Sequence, residues 1–370
     1  MSVTAPDPVS GLPRWSVLGL LPGLNLLAAF AACGLIVLLA GEDPWQAVQV
    51  LVGGAFGSAD AVSYTLFYAT SFVFTGLAVA VAFQCGLFNI GGEGQALIGG
   101  LGVALVCLYL DFLPFLLLVP VAIAAAALFG AAWAFVPAVL QAGRGSHIVI
   151  TTIMFNFIAT SIMVYLLVDV MSPAGSMQPE TRAFAEHARL PYMHEVAAAL
   201  GLELPSSPLN VSLVLALLCC AGAWLFVWHT RAGYRTRVVG ANPAAAVFGG
   251  ISPGAQVLVA MMLSGALAGC MSLNELMGVQ HRLVLEFTGG FGFVGIAVAL
   301  MGRCHPAGIV PSAVLFGALY QGGAELAFEI PAITRDMVVI IQGLVILFAG
   351  ALEYMFAPAL RPFLTRRAVD

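Results

Sequence analysis

The chain has 370 residues, 61% hydrophobic and only 8% charged, with a formal net charge of −5 at pH 7. Soluble domains carry about 25% charged residues, so this chain lacks the polar material to cover a water-facing surface; in a bilayer its apolar surface faces lipid instead. All thirteen basic residues are arginine. The absence of lysine excludes a P-loop ATPase, whose Walker A loop needs that residue on the phosphates, and excludes a Schiff-base cofactor protein.

In chain order, residues 1–16 read as a cytoplasmic N-terminal tail and 17–40 as a first span. At about 24 residues the second run exceeds the roughly 7–15 of a signal h-region, so a retained membrane helix is expected. A second span covers 62–83. It leads into GLFNIGGEGQALIGG, residues 86–100, where Asn89, Glu93 and Gln95 stand among helix-breaking glycines. Non-helical backbone at membrane depth is tolerated only where protein or a water-filled cavity surrounds it. Polar groups there mark a solute path by default, although a plain cytoplasmic turn would also explain them.

Further spans follow at 95–112, 114–139 and 148–168. In the last of these Thr152, Asn156 and Thr160 share one face at i, i+4, i+8. Such a stripe suits a polar path and suits hydrogen bonding between helices equally well. Residues 170–210 form the longest loop, proline-rich, with a short helix expected near His194–Leu200. His187 and His194 lie beside Glu186 and Glu195, but a solvated loop explains them better than a metal site. A span at 211–229 comes next.

The loop 230–253 reads RAGYRTRVVGANPAAAVFGGISP from Arg231. Asparagine is a good N-cap and proline suits the first helical position. Asn242-Pro243 should therefore open a helix over Ala244–Phe248, ended by Gly249 and Gly250. A short helix capped at both ends on a basic loop is suited to docking in another protein's groove.

The remaining spans are 254–273, 287–301, 306–327 and 337–357, with a cytoplasmic tail at 358–370. The weakest is 287–301, within EFTGGFGFVGIAVALMG, residues 286–302. It pairs an acid with a glycine cluster, as 86–100 does. Paired interrupted segments point to a transport site at the interface of an internal repeat. Gly290, Gly292 and Gly295 also match G-x-G-x-x-G, but without a βαβ setting close helix packing explains them better. The short connections at 113 and 302–305 imply tight antiparallel helix pairs.

The fold expected is an all-α polytopic bundle of about ten spans. With the N-terminus inside, nine arginines fall on the cytoplasmic side. Only Arg182, Arg189, Arg282 and Arg335 fall outside, so positive-inside counting gives an N-in, C-in topology. The seven cysteines are scattered, which fits buried thiols and neither a disulfide framework nor a zinc site. Glu93 and Glu353 are the only acids expected near membrane depth. There is no H-E-x-x-H or G-x-S-x-G pattern, and nothing argues for an enzyme, a metal or a cofactor.

Four of these segments, in this order, resemble the permease subunits of ABC importers of the simple-sugar and nucleoside branch. They are FNIGGEGQALIGG, SHIVITTIMFNFIA, YRTRVVGANPAAAVFGGIS and FTGGFGFVGIAVALMG. The likeness runs from about 60 to 355. It implies a subunit that forms the path for a nucleoside or simple sugar across a bacterial inner membrane. The partners implied are an ABC ATPase subunit, a second permease subunit of the same or related sequence, an extracytoplasmic binding protein and membrane lipid, with no nucleic acid. By the same resemblance Arg235, Arg237, Gly240, Asn242, Pro243 and Ala245 belong to the ATPase-coupling loop, and Asn89, Glu93, Gln95, Thr152 and Asn156 to the substrate pathway. Gly92 stands where the family usually has alanine, and His147 where a shorter polar or acidic residue is common. The competing reading is an ion-gradient-driven secondary transporter, which also uses broken helices but normally needs more buried ionisable residues. A non-transport membrane scaffold is disfavoured by the polar, glycine-broken segments.

Overall fold

A computed structural model describes residue 13, residues 15–173, residues 175 and 177–348, and residues 355–360. Arg14, Glu353, Arg361, Arg366 and Arg367, which entered the sequence argument, lie outside the described residues. The described chain is helical throughout, with isolated β-bridges at Glu180–Val284 and Tyr192–Asn210. Among the described residues seven helices are long and apolar enough to cross a membrane, or up to eight if one bent pair is a single span. That establishes a polytopic helical bundle.

Internal contacts divide the chain into two compact units. The first takes residues from Met1–Gly54 and Leu319–Asp370. It holds α1 (Leu21–Leu39), most of α2 (Pro44–Phe56), the end of α13 (Pro306–Glu329) and α14 (Arg335–Ile346). Helices α1 and α2 are the bent pair. Helix α1 packs on α14, where the Cys33 thiol donates to the Ile341 carbonyl at 3.6 Å. Helix α14, twelve residues long, covers the first part of the expected span 337–357, of which residues 349–354 lie outside the described residues.

The second unit, Ala55–Ala318, carries the features of interest. Its helices are α3 (Ala59–Phe83), α4 (Gly92–Tyr109), α5 (Phe115–Arg144), α6 (Ile148–Tyr165), α7 (Met193–Ala199), α8 (Ser212–His229), α9 (Arg231–Ala241), α10 (Pro243–Phe248), α11 (Pro253–Ser272), α12 (Phe291–Met301) and the start of α13. Helix α6 continues as a π-helical turn over Leu166–Val170, and α11 as a longer one over Leu273–Gln280. Helix α11 is the hub, packed against α5, α3 and α4. Small residues permit this: a Cβ on Gly269 would collide with the Ala126 carbonyl of α5, and one on Gly99 of α4 with the backbone of Gly269. Membrane helices have no hydrophobic force drawing them together, so such backbone approach supplies the van der Waals contact that holds them.

Two sequence expectations change in detail. The expected span 287–301 is a tight turn over 285–290 followed by α12. Its eleven residues rise about 16 Å at 1.5 Å each, about half of the roughly 30 Å of hydrocarbon. The loop 170–210 is also less free than a solvated loop. It is fastened along the end of the α11 extension: Phe184 N donates to His281 O at 2.7 Å, Leu190 N to Met277 O at 2.9 Å, and Arg282 pairs with Glu180 at 2.6 Å. The short helix expected there is α7.

Candidate functional site

The break between α3 and α4 is held by side chains. After Phe83 the chain turns through Gly86 and runs without helix until Gly92. Its backbone groups there have lost their helical partners and need others. Asn89 supplies one of them and braces the break through its side-chain partners. Its Oδ1 accepts from Gly91 N at 2.8 Å and from Gln95 Nε2 at 3.2 Å. Its Nδ2 donates to Gln95 Oε1 at 2.9 Å and to Ser264 Oγ of α11 at 2.8 Å. Helix α6 closes the other side. Thr152 Oγ1 accepts from Ile90 N at 3.3 Å, and Asn156 accepts from Gly94 N at 2.9 Å while donating to Ile90 O at 2.9 Å. Asn89, Gln95, Thr152 and Asn156 are all buried. The structure thus brings these four together as one closed network tying α4, α6 and α11 at the break.

Glu93 does something different. It stands in the first turn of α4 and reaches across to the start of α12. One oxygen accepts from Gly290 N at 3.0 Å and from the Thr288 hydroxyl, the other from Gly292 N at 2.8 Å. Free N–H groups and the macrodipole make a helix N-terminus favourable for a carboxylate. The two N-termini approach this closely because both are glycine: a Cβ on Gly292 would strike the Glu93 backbone. The two glycine-broken segments, 199 residues apart at this contact, therefore meet at one carboxylate.

Beside this junction lies a cavity of about 300 Å³. Its lining is mixed, with Glu93, Thr160, Glu286 and Thr288 polar and Leu97, Met163, Leu285 and Phe293 apolar. Among the described residues no arginine or histidine lines it. The turn that forms one wall is wound through left-handed backbone at Glu286 (φ 56°), Gly289 (φ 52°) and Gly290 (φ 80°). Glycine takes that conformation without penalty; a glutamate held there costs about 1–3 kcal/mol.

A third polar cluster was not anticipated. The π-helical extension of α11 buries Asn274 and Glu275. Asn274 donates to Ser71 Oγ at 2.8 Å and to Phe67 O at 3.2 Å, and accepts from Asn210 at 3.0 Å and Ser212 at 2.7 Å. Glu275 accepts from Ser71 Oγ at 3.1 Å. The expectation of only Glu93 and Glu353 as acids near membrane depth is therefore corrected: Glu275 is buried as well. Its one sequence signal was an acid two residues past the apolar run 254–273. The widened π turn, which often marks a functional site, is what directs it inward.

The basic loop has the local geometry its sequence implies. Asn242 caps α10, its Oδ1 accepting from Ala245 N at 3.0 Å, with Pro243 at the first helical position. Gly250, at φ 73°, turns the chain back so that Ile251 N bonds Ala246 O at 2.9 Å. Ala246 is fully buried in an apolar cluster with Ala82, Leu87, Val239 and Met261. Val247 and Phe248 point out, Phe248 being 95% exposed. Arg235 is exposed, while Arg237 is half-buried and donates to Val227 O at 3.2 Å. Gly240 lies directly on the end of α3: a Cβ there would collide with the Gln84 carbonyl.

In the loop 170–210 His194 stacks on Tyr192, whose hydroxyl lies 3.3 Å from His281 Nε2. Glu195 accepts from Tyr192 N at 2.9 Å and pairs with Arg189 at 2.6 Å. The Tyr192 N–H, with help from Arg189, holds the Glu195 carboxyl below its ordinary value. Burial, with the nearby Arg189 charge, lowers that of His281.

The family model described as "Branched-chain amino acid transport system / permease component" matches residues 61–350. The chain is 32% identical to the glucose ABC transporter permease protein TsgB13 of Haloferax volcanii, over 94% of this chain and 91% of that one. It is also 32% identical to the guanosine ABC transporter permease protein NupP of Bacillus subtilis, over 90% and 93% of the two chains. Identity to the nucleoside ABC transporter permease protein NupB of Lactococcus lactis is 30%, over 89% and 90%. The chain belongs to the ABC importer permeases of the sugar and nucleoside branch. This permease is a multi-pass protein of the inner (plasma) membrane. It has no ATPase site of its own, and membership of the family implies a separate ATPase subunit and a substrate-binding protein as partners. No solved structure matches it.

Proposed function

We propose that the permease carries a nucleoside, and that the cavity beside Glu93 is part of its path. The observation that supports this most is the lining: it combines apolar and aromatic side chains with polar ones and, among the described residues, no cationic one. A flat base with an uncharged sugar fits such a lining, whereas a phosphorylated ligand would meet carboxylates without a partner. The likeness to the guanosine and nucleoside permeases agrees; the likeness to the glucose permease makes a simple sugar the outcome to test against.

On this reading Glu93 sets the cavity wall. Asn89, Gln95, Thr152 and Asn156 shape the path by fixing the break above which it lies. The loop 230–253 couples it to ATP hydrolysis: Arg235 and Arg237 flank the approach, Asn242, Pro243 and Ala245 frame α10, Gly240 transmits its position, and Phe248 is the anchor that enters the ATPase. The N-terminus and C-terminus lie inside and the chain crosses ten times, α12 with its leading turn completing one crossing. The expected domain plan follows: a tail at 1–16, a permease domain at 17–357, and a tail at 358–370. A second permease subunit and lipid complete the assembly. The meeting of the two broken segments at Glu93 supports an internal repeat.

The test is uptake by the purified complex in proteoliposomes, with its binding protein supplied. Guanosine uptake that depends on ATP is expected. ATP-driven glucose uptake without guanosine uptake would overturn the substrate. Phe248→Ala should weaken ATPase binding by about 2 kcal/mol or more, as loss of an exposed aromatic anchor does; unchanged co-purification would remove the coupling role.

A further inference from the structure

Two carboxylates face the cavity, and they are not equivalent. Glu93 is committed on both oxygens, to Thr288 and to the N–H groups of Gly290 and Gly292. Glu286 is exposed, and among the described residues its carboxylate receives no hydrogen bond. The backbone sharpens the contrast. Three residues of this turn are left-handed, and at two of them glycine meets the requirement. At the third the chain places a glutamate, where glycine would relax the turn. A strained non-glycine residue at a cavity wall points to a side chain kept for its chemistry.

That chemistry is acceptance. A free carboxylate has two oxygens with four lone-pair sites and no donor, so its natural complement is a pair of adjacent O–H groups. Phe293, which lines the same cavity, is about half-exposed and offers a flat apolar face. We propose that Glu286 is the specificity-determining residue of the cavity, its carboxylate accepting the vicinal hydroxyls of a neutral ribosyl ligand whose base lies against Phe293. This rests on the reading of the cavity as the substrate path, and it adds which end of the substrate is read and by which atom pair.

The experiment compares ATP-driven uptake of guanosine with that of 2′,3′-dideoxyguanosine by the complete complex in proteoliposomes. The binding protein is the same in every sample, so a change in the ratio belongs to the permease. The unsubstituted complex should favour guanosine by about tenfold or more, the value of charge-assisted hydrogen bonds to the missing hydroxyls. Glu286→Gly should bring the ratio toward unity while its thermal stability equals or exceeds the original. Glu286→Gln, which keeps one acceptor oxygen, should fall between. A ratio unchanged in Glu286→Gly overturns the proposal, as does a drop in stability with equal loss of both ligands. Absence of guanosine uptake by the unsubstituted complex is a separate result, which overturns the nucleoside reading itself.

Discussion

Helices α4 and α5 pack side by side, yet they solve opposite problems. In α4, 78% of the most apolar 18-residue stretch is buried inside the protein; in α5 only 28% is. The buried helix is the less apolar of the two. In water the order would be reversed, because burial there is what apolar surface seeks. In a bilayer lipid is already apolar, so burial need not follow hydropathy, and interior positions suit glycine and hydrogen-bonding side chains. Glu93 and Gln95 lie in the first turn of α4, and Asn89 just before it, for that reason, while α5 presents Leu116 and Leu128 outward.

The largest test of this contrast is steric. Gly269→Leu, at the α11–α5 crossing, should abolish the folded protein, since the new side chain meets backbone that cannot yield. Gly222→Leu in α8, where nothing lies within 4 Å, should leave the monodisperse chromatographic peak intact. Equal outcomes at both positions would break the distinction. Next in size is a charge on the lipid face. Leu128→Asp should cost about 2.5–3.5 kcal/mol in a membrane-insertion assay, and Leu128→Ala far less. Asn89→Ala should lower stability by about 1–3 kcal/mol, because it strands Gly91 N–H and Gln95; melting in detergent reads this directly.

The smallest effect belongs to a region that faces water instead. Glu195 has a folded pKa below the ordinary carboxylate value. Its stabilisation is therefore complete above the unfolded value of about 4.3 and is lost as pH falls through the folded one. The pair is largely exposed, with side-chain exposures of 39% and 37%, so screening keeps the effect small. Glu195→Gln should flatten the loop's acid sensitivity, followed by hydrogen exchange over 186–200.

The sequence made some of this legible and hid the rest for identifiable reasons. The cap at Asn242-Pro243 was readable because capping is local: the four consecutive residues 242–245 determine it. The break at 86–100 was readable because glycines and amides interrupt an apolar run. What the polar residues contact was not, since Ser264 is 175 residues from Asn89 and Thr152 is 62 from Ile90, their hydrogen-bond partners. Glu275 was missed because an acid at the end of an apolar run looks like an ordinary helix end. A π-helical extension, which shifts side chains around the axis, has no composition of its own. Glu286 was visible only as an acid beside glycines; its left-handed backbone is a property of the turn, and no residue type announces it. The shortness of α12 followed from the same turn.

The contact of Gly240 with the end of α3 has a mechanical meaning. Two backbones meet there with no side chain between them, and close-packed protein is nearly incompressible. The joint between the proposed coupling loop and the broken segment thus has no free play. A displacement of α10 by even an ångström cannot be absorbed at this point and must be passed to Gln84 and Gly86, and so to the segment that carries Asn89. A single methyl group at 240 would act as a shim in that joint, holding it permanently toward one end of its stroke.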